Sequence, residues 1–224
     1  MNSLIIGYGE VGKGIHQVIK DADVLDTGSS LKPSESQYEA LLVAIPYTKT
    51  FVENVKAYQK KFKVKTTIIF STVPIGTSRK CNAVHSPVQG KHPRLGDSMK
   101  LFKRFIGGKD PLAEKFLKKY FKNITILDKP EFTEFLKLRS TSLYGVNLVF
   151  GRYTNEVCED LGMDYDYVNE FDLAYNELYR DLGMSYFQRY LFTPVKGKIL
   201  GHCVVPNAKI LNKQYPHKYL RDIK

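Results

Sequence analysis

Six residues near the start of the chain have the spacing of a phosphate-binding turn. They follow the apolar run 3–6, precede a helical pattern and read Gly7-Tyr8-Gly9-Glu10-Val11-Gly12. The first glycine of such a turn reverses the chain, the second lets the backbone approach a pyrophosphate, and the third lets the helix pack closely on the strand. The helix N-terminus then offers unpaired N–H groups to the phosphates. We expect a dinucleotide to bind here, although an ordinary βα turn without a ligand can share this glycine spacing.

Asp26 adds a second feature of a dinucleotide site. It ends a short strand-like segment, 22–25, and follows Gly7 by 19 residues. A carboxylate at that position accepts hydrogen bonds from the hydroxyls of the adenosine ribose, whereas it would repel the 2′-phosphate of NADP. Because no arginine follows Asp26 directly, the sequence predicts NAD as the cofactor.

Strands and helices alternate around this turn. Apolar strand-like segments are expected at 40–45, 66–70, 83–85, 102–108 and 124–127, and helices at 10–20, 51–62 and 110–121. This alternation is typical of an α/β fold with a Rossmann-type, doubly wound and mostly parallel sheet. Ligands bind at the carboxyl ends of the strands in such a sheet, so Pro46-Tyr47 and Ser71-Thr72 are predicted to join the glycine turn as cofactor contacts. The short link from Asp26 to residue 40 indicates that one βα unit is trimmed.

A helical pattern replaces the alternation after residue 127. Its apolar periodicity runs from 131 to 161, and a continuous helix of that extent would have ~31 residues and span ~46 Å. A helix this long exceeds what one small domain can cover, so we expect it to pack against a partner. A second helix is expected at 165–181. The sequence therefore predicts an NAD-binding domain over 1–127 and a smaller helical domain over 128–224 that forms a homodimer through helix 131–161.

Composition narrows the class of protein. The chain has 224 residues, 43% hydrophobic and 25% charged, which is ordinary for a soluble globular protein with a sizeable core. No apolar run approaches the ~20 residues of a membrane span, and no secretory leader is expected. Three widely spaced cysteines without a leader favour a reducing, cytoplasmic setting. No metal site is predicted, because metal-ligand spacing is absent from the five histidines, His16, His85, His92, His202 and His217.

The formal net charge of +11 favours anionic ligands. Lysines cluster in two helix-like segments, at 56–65 and at 115–122. The clusters are either solvated helix faces or an attraction for nucleotide sugars, cofactor phosphates or nucleic acid. No DNA- or RNA-binding module is recognisable. We therefore expect an anionic small-molecule substrate, with neither nucleic acid nor membrane as a partner.

Several motifs, in order, resemble those of the UDP-glucose/GDP-mannose dehydrogenase family, whose members oxidise a sugar-nucleotide alcohol to a carboxylate with NAD. Besides the glycine turn, the matching segments are STVPIGT at 71–77, EFLKL at 134–138, NEVCEDLG at 155–162 and GHC at 201–203. Together they extend over nearly the whole chain. The resemblance implies an N-terminal NAD domain and a helical middle domain that forms the dimer.

The resemblance also implies roles for three residues. Cys203 lies where the family has a nucleophile that traps the intermediate aldehyde as a thiohemiacetal. Lys137 lies where a lysine stabilises developing oxyanion charge, and Thr72 where a hydroxyl helps to position the catalytic water. From the residues alone, Cys203 is equally a small buried hydrophobe and Lys137 an ordinary helix lysine.

Other positions depart from the family pattern. Thr141 stands four residues after the lysine, where the family has asparagine, and Asn207 stands four residues after the cysteine, where the family has an aspartate for acid–base work. Val88 follows Ser-Pro in place of a glutamate, and Pro206 follows Cys203 by one position more than in the family. Thr141 and Asn207 thus join the candidate catalytic positions. The chain ends 21 residues after Cys203, where the family continues into a third domain.

Three functions remain open from the sequence. The first is NAD-dependent oxidation of a sugar-nucleotide primary alcohol towards the carboxylate. The second is a two-electron oxidation of the 3-hydroxyacid or 6-phosphogluconate dehydrogenase type, which also joins a Rossmann domain to a helical one. The third is an NAD-binding dimer that has lost its chemistry, as Asn207 and Val88 suggest.

Overall fold

The computed structural model describes residues 2–28, 30–90, 94–193, 196–199 and 203–224. The chain divides into two compact units, Met1–Lys137 and Leu138–Lys224. His92, Gly201 and His202, which the sequence singled out, lie outside the described residues. In the part of the chain that is described, no helix has both the length and the apolar character needed to cross a bilayer.

A seven-stranded sheet forms the first unit. Its strands are β1 (Ser3–Ile6), β2 (Asp23–Leu25), β3 (Ala40–Val43), β4 (Thr66–Ile69), β5 (Val84–His85), β6 (Arg104–Gly107) and β7 (Ile124–Leu127). The order is β2-β1-β3-β4-β5-β6-β7, and all neighbours are parallel except β5 and β6, which are antiparallel. The predicted Rossmann-type, mostly parallel sheet is therefore confirmed.

Helices cover both faces of this sheet. They are α1 (Glu10–Val18), α2 (Phe51–Lys61), α3 (Thr77–Lys80), α4 (Leu95–Leu101) and α5 (Pro111–Lys118). On β1, Ile5 belongs to the core under α1, α4 and α5, whereas Leu4 and Ile6 belong to the core under α2. Strands buried on both faces have no polar side to alternate with, which is why they are continuously apolar in the sequence.

Two features of the first unit differ from an ordinary Rossmann half. The link from β2 to β3, residues 26–39, contains no helix in its described part, in keeping with the trimmed βα unit that its length predicted. Helix α4 was not predicted. It packs on α1 where glycines allow close approach, since a Cβ on Gly14 would lie 3.3 Å from Leu95 and a Cβ on Gly96 would overlap Gln17.

The glycine turn joins β1 to α1 as its spacing predicts. Gly7 has φ +93°, a left-handed conformation that side chains rarely adopt. A Cβ on Gly12 would lie 1.9 Å from the carbonyl oxygen of Gly7, so this glycine permits the helix to approach the turn. A Cβ on Gly9 would meet nothing within 4 Å. The middle of the turn is thus open, as a backbone that approaches a ligand requires.

Helix α6 (Pro130–Leu161) is continuous over 32 residues, as the periodicity predicted. Its first turn lies against β6, where a Cβ on Gly107 would lie 2.3 Å from the Thr133 hydroxyl oxygen. Thr133 also contacts His85 at the end of β5, with 2.8 Å from its Oγ1 to Nδ1. His85 Nε2 lies 3.2 Å from the Ser71 carbonyl oxygen. Since a carbonyl only accepts, Nε2 carries the proton and Nδ1 accepts from Thr133.

The second unit consists of the rest of α6 with α7 (Asp166–Asp181), a 3-10 turn (Ser185–Phe187), α8 (Val204–Gln214) and α9 (Lys218–Arg221). Helices α8 and α9 were not predicted. A small core of Leu148, Ile199, Val204, Ala208 and Ile223 joins them to α6. No residue of α7 is fully buried, and its side chains Tyr167, Phe171 and Leu178 are exposed.

The turn geometry predicts that one of two glycine substitutions destabilises the protein and the other does not. Gly12→Ala should lower the free energy of unfolding by about 1–3 kcal/mol, because the new methyl group overlaps the Gly7 carbonyl. Gly9→Ala is the matched control and should change stability by less than ~0.5 kcal/mol. Urea denaturation measures both, and equal losses in the two variants would contradict the close helix–turn contact.

His85 predicts a pH dependence of stability. Burial lowers the pKa of His85 to about 3, whereas an unfolded histidine has a pKa of ~6.5. The unfolded state therefore takes up a proton first, and stability falls as the pH is lowered from about 6.5 towards 3, by about 2 kcal/mol at pH 5. Urea denaturation at pH 7.5 and pH 5 should show this loss in the wild type and in the exposed-site control His217→Asn. An equal loss in His85→Asn would rule out His85 as its source.

Candidate functional site

The carboxyl ends of the first five strands form one edge. The ladder continues past the strands through Gly7 N–H to Leu25 O, Ala44 N–H to Ile6 O, and Phe70 N–H to Val43 O, each at 2.8–2.9 Å. Gly7, Asp26 and the segments that begin at Ala44 and Phe70 are therefore neighbours. The predicted cofactor contacts of the first unit lie together along this edge.

Asp26 lies beside the glycine turn. Its Oδ1 accepts the Tyr8 N–H and its Oδ2 accepts the Gly28 N–H, both at 3.1 Å. These bonds fix the orientation of the carboxylate and leave further lone pairs on each oxygen. The carboxylate can therefore still accept hydrogen bonds from a ribose diol.

A cleft of ≈510 Å³ opens next to Asp26 along the edge of the sheet. Its lining includes Thr27, Leu31 and Phe62, together with the lysines Lys32 and Lys61. It adjoins the helix-free link between β2 and β3. Lys61 belongs to the lysine cluster 56–65 noted in the sequence, whereas Lys32 is a further cation that no sequence pattern singled out.

The remaining predicted cofactor residues occupy the first turn of α1 and the end of β3. Glu10 and Val11 begin α1, and the hydroxyl of Tyr8 lies 2.9 Å from His16 Nδ1. Pro46 and Tyr47 follow β3, where the Tyr47 ring packs against Phe51 with centroids 5.6 Å apart. Tyr47 is exposed.

Ser71 and Thr72 follow β4. The Ser71 hydroxyl donates to the Ile45 carbonyl at 2.7 Å, so it joins the ends of β3 and β4. Thr72 is partly exposed on the same segment. The segment then turns at Gly76, with φ +93°, into the short helix α3.

Lys137 lies two turns into α6 and reaches the segment that follows β5. Its Nζ donates to the Val88 carbonyl oxygen at 2.7 Å. The position that has a glutamate in the family thus contacts the lysine through its backbone. A carbonyl acceptor holds an ammonium group in place without adding a negative charge to the site.

Arg104 supports the same segment from the core. Its side chain is buried on β6, Nη1 donates to the Pro87 carbonyl at 2.8 Å, and the guanidinium lies 4.5 Å from the Phe121 ring centroid. Burial lowers the pKa of Arg104 to about 10. The two successive carbonyls of Pro87 and Val88 are therefore each held by a cation. Sequence reasoning missed Arg104, which looks like an ordinary strand residue.

Glu134 is a second residue that sequence reasoning missed. Its side chain is fully buried, and its two carboxylate oxygens accept the N–H groups of Gly76 at 2.6 Å and Ser78 at 2.7 Å. Burial raises the pKa of Glu134, and the like charge of Glu131 adds to the shift, while the bonds to the two N–H groups oppose it. A glutamate on the apolar stripe of the predicted helix 131–161 was the available signal.

In the second unit the structure brings two predicted positions together. The Asn207 amide donates to the Thr141 hydroxyl oxygen at 3.1 Å, and that hydroxyl donates to the Leu138 carbonyl at 3.1 Å. Asn207 is buried. Two of the positions that depart from the family pattern thus form one hydrogen-bonded pair, which is neutral.

Cys203 begins helix α8 in the same unit. It occupies the N-cap and is exposed, and its carbonyl accepts the Asn207 N–H at 3.1 Å. A helix N-terminus carries partial positive charge that favours nearby anions. Lys137, in contrast, is the last residue of the first unit.

No protein-family model and no curated protein sequence matches the chain. Solved structures match it throughout. The UDP-D-ManNAc dehydrogenase of Pyrococcus horikoshii shares 15% identity, with a TM-score of 0.77 over 100% of this chain and 68% of that one. A UDP-glucose dehydrogenase of Pyrobaculum islandicum shares 13%, with a TM-score of 0.74 over 99% of this chain and 66% of that one. The chain thus spans about two thirds of the length of these enzymes.

A smaller enzyme matches over more of its own length. The 3-hydroxyisobutyrate dehydrogenase of Mycobacterium tuberculosis shares 11% identity, with a TM-score of 0.68 over 95% of this chain and 86% of that one. At such low identity the likeness concerns the fold. The chain is a divergent sequence with the fold that these sugar-nucleotide and hydroxyacid dehydrogenases share.

Proposed function

We propose that the protein is an NAD-dependent oxidoreductase that oxidises the primary alcohol of a sugar nucleotide towards the carboxylate. The observation that carries the proposal is the open glycine turn with the Asp26 carboxylate fixed beside it. Lys137 and Thr72, on segments attached to the same sheet, supply an ammonium group and a hydroxyl. The basic chain, with a formal charge of +11, favours an anionic substrate.

In this proposal the cofactor, when bound, accepts hydride from the alcohol carbon. The ammonium of Lys137 stabilises the oxyanion that forms as the hydroxyl proton leaves. The sulfur of Cys203 then adds to the aldehyde carbon and forms a thiohemiacetal. The thiohemiacetal carbon would then give its hydride to a second NAD while its hydroxyl proton passes to solvent, which leaves a thioester. A water molecule positioned by Thr72 adds to the thioester carbonyl and breaks the C–S bond, which releases the carboxylate, a proton and the thiol.

The pair Thr141–Asn207 favours a second candidate. Neither side chain takes up a proton near neutral pH, so the pair provides no general base for thioester hydrolysis. A two-electron oxidation that needs only Lys137, as in a 3-hydroxyacid dehydrogenase, does not require that base. The shared fold with 3-hydroxyisobutyrate dehydrogenase is consistent with this candidate.

NADH formation distinguishes the candidates. With purified protein and a panel of UDP- and GDP-sugars, the leading proposal predicts two NADH per substrate, and one NADH with Cys203→Ala. Lys137→Ala should lower kcat by about 10²- to 10³-fold, the cost of removing one oxyanion donor. Lys129→Ala, at the exposed position just before the same helix, is the control and should retain activity.

Two other outcomes would favour one of the remaining functions. One NADH per substrate, unchanged in Cys203→Ala, would favour the two-electron candidate. Calorimetric binding of NAD without turnover on any substrate would favour a dimer that has lost its chemistry. Parallel titrations with NADP test the cofactor preference, because Lys32 and Lys61 line the cleft beside Asp26.

We also propose that the protein is a homodimer that uses α6 and α7. On α7, Tyr167, Phe171 and Leu178 are exposed, and no residue of the helix is buried. This helix carries five acidic residues and one arginine in a chain that is strongly basic overall. An acidic, aromatic helix face can therefore dock on basic surface of a second copy.

Sedimentation velocity tests the dimer. The wild type should sediment as a dimer and Phe171→Asp as a monomer, because the new carboxylate would be buried without a partner. Leu101→Asp, at an exposed leucine of α4 in the first unit, is the control and should remain dimeric. A monomeric wild type would refute the proposal.

A further inference from the structure

The first two turns of α6 hold the segment that carries Thr72 at two places. In the part of this segment that follows Thr72, the N–H groups of Gly76 and Ser78 donate to the buried carboxylate of Glu134, at 2.6 and 2.7 Å. Gly76 and Ser78 precede Glu134 by 58 and 56 positions in the chain, so the contact is long-range. It also satisfies N–H groups at the start of the short helix α3, which no side chain of its own caps.

A separate buried contact holds the start of this segment, at Ser71. Thr133, adjacent to Glu134, contacts His85 Nδ1 at 2.8 Å, and His85 Nε2 donates to the Ser71 carbonyl at 3.2 Å. Residues 71–78 are thus anchored to α6 on both sides of Thr72. None of the groups that make these contacts is exposed to solvent to any large extent.

The same part of α6 carries Lys137. It lies three residues after Glu134, close to one helical turn, so both side chains project from the same face of the helix. Its Nζ donates to the Val88 carbonyl at 2.7 Å, in a segment whose preceding carbonyl is held by Arg104. Any rotation or shift of this turn of α6 would move Lys137 and release the Thr72 segment together.

We propose that Glu134 is a positioning residue, which holds the Thr72 segment and the turn of α6 that carries Lys137 in one fixed relation. The proposal rests on the function proposed above, in which Lys137 and Thr72 act on the substrate. Glu134 touches neither substrate nor cofactor in this role. It acts through the backbone of Gly76 and Ser78.

A carboxylate suits this role because it presents two acceptor oxygens to two N–H groups. Glutamine has the same shape but only one acceptor, and its NH₂ group would face a second donor. Burial raises the pKa of Glu134, whereas the bonds from the two N–H groups lower it, so these bonds offset part of the cost of burying the charge. The neutral amide avoids that cost but loses one of the two acceptors, so Glu134→Gln should release the segment with only a small change in overall stability.

The test compares Glu134→Gln with the matched control Glu131→Gln. Glu131 lies on the same turn but is partly exposed and pairs with Arg79, with 2.8 Å between Oε2 and Nη2. The first readout is the rate at which acetic anhydride acetylates Lys137, measured by mass spectrometry against Lys129 in the same sample. Glu134→Gln should raise the Lys137 rate about tenfold, as expected when loss of a buried hydrogen bond favours local opening. The control should leave it unchanged.

The second readout is the kinetics of NADH formation. Glu134→Gln should lower kcat at least ~10-fold and leave the KM for NAD unchanged, since the glycine turn is untouched. The thermal midpoint should move by less than ~5 °C, which separates positioning from a loss of fold. Equal Lys137 acetylation in the two variants, or an unchanged kcat in Glu134→Gln, would overturn the proposal. If the wild type forms no NADH, the proposed function is wrong. The acetylation rates then still test whether Glu134 holds Lys137 in place.

Discussion

The attachment of α6 to the sheet is the interaction on which the candidate site depends. Apolar contacts are not directional, so they fix the rotation of the first turns of this 32-residue helix less sharply than hydrogen bonds do. Hydrogen bonds between buried groups are directional: Glu134 accepts two N–H groups, and Thr133 is hydrogen-bonded to His85. A buried carboxylate is costly unless its oxygens are hydrogen-bonded, so a shift that breaks these bonds is strongly disfavoured. The position of Lys137 follows from this constraint.

The proposed chemistry draws on different groups in the two units. In the first unit, an open glycine turn, a fixed carboxylate at Asp26 and a held ammonium at Lys137 match the needs of hydride transfer from an alcohol. In the second unit, Thr141 and Asn207 replace the amide and the acid of the resembled family by a neutral pair. Neither member of this hydrogen-bonded pair can act as a general base near neutral pH. In the proposed function, oxidation beyond the aldehyde therefore needs a base other than this pair, and this is the physical reason that two proposed oxidoreductase functions remain as candidates.

Local signals predicted most of the fold. The continuous apolar strands, the glycine turn and the periodicity of α6 depend on residues that are close together in the chain. Helix α4 is short and contains Gly96, and α8 has Pro206 in its first turn, so neither has a clear periodic pattern. The candidate site was less predictable. His85 and Glu134 contact partners 48 to 58 residues away, and nothing in the neighbouring sequence identifies those partners.

The sequence by itself determined the glycine turn, the carboxylate at Asp26, the alternation of strands and helices and the long helix. Each of these follows from backbone freedom or from periodicity over a few residues. Only the tertiary structure decided the antiparallel direction of β6, the pairing of Thr141 with Asn207 and the contacts that hold Lys137 and Thr72 near the sheet. Those features are set by which distant segments pack together, because a buried polar group takes whichever partner the packing places within hydrogen-bonding distance.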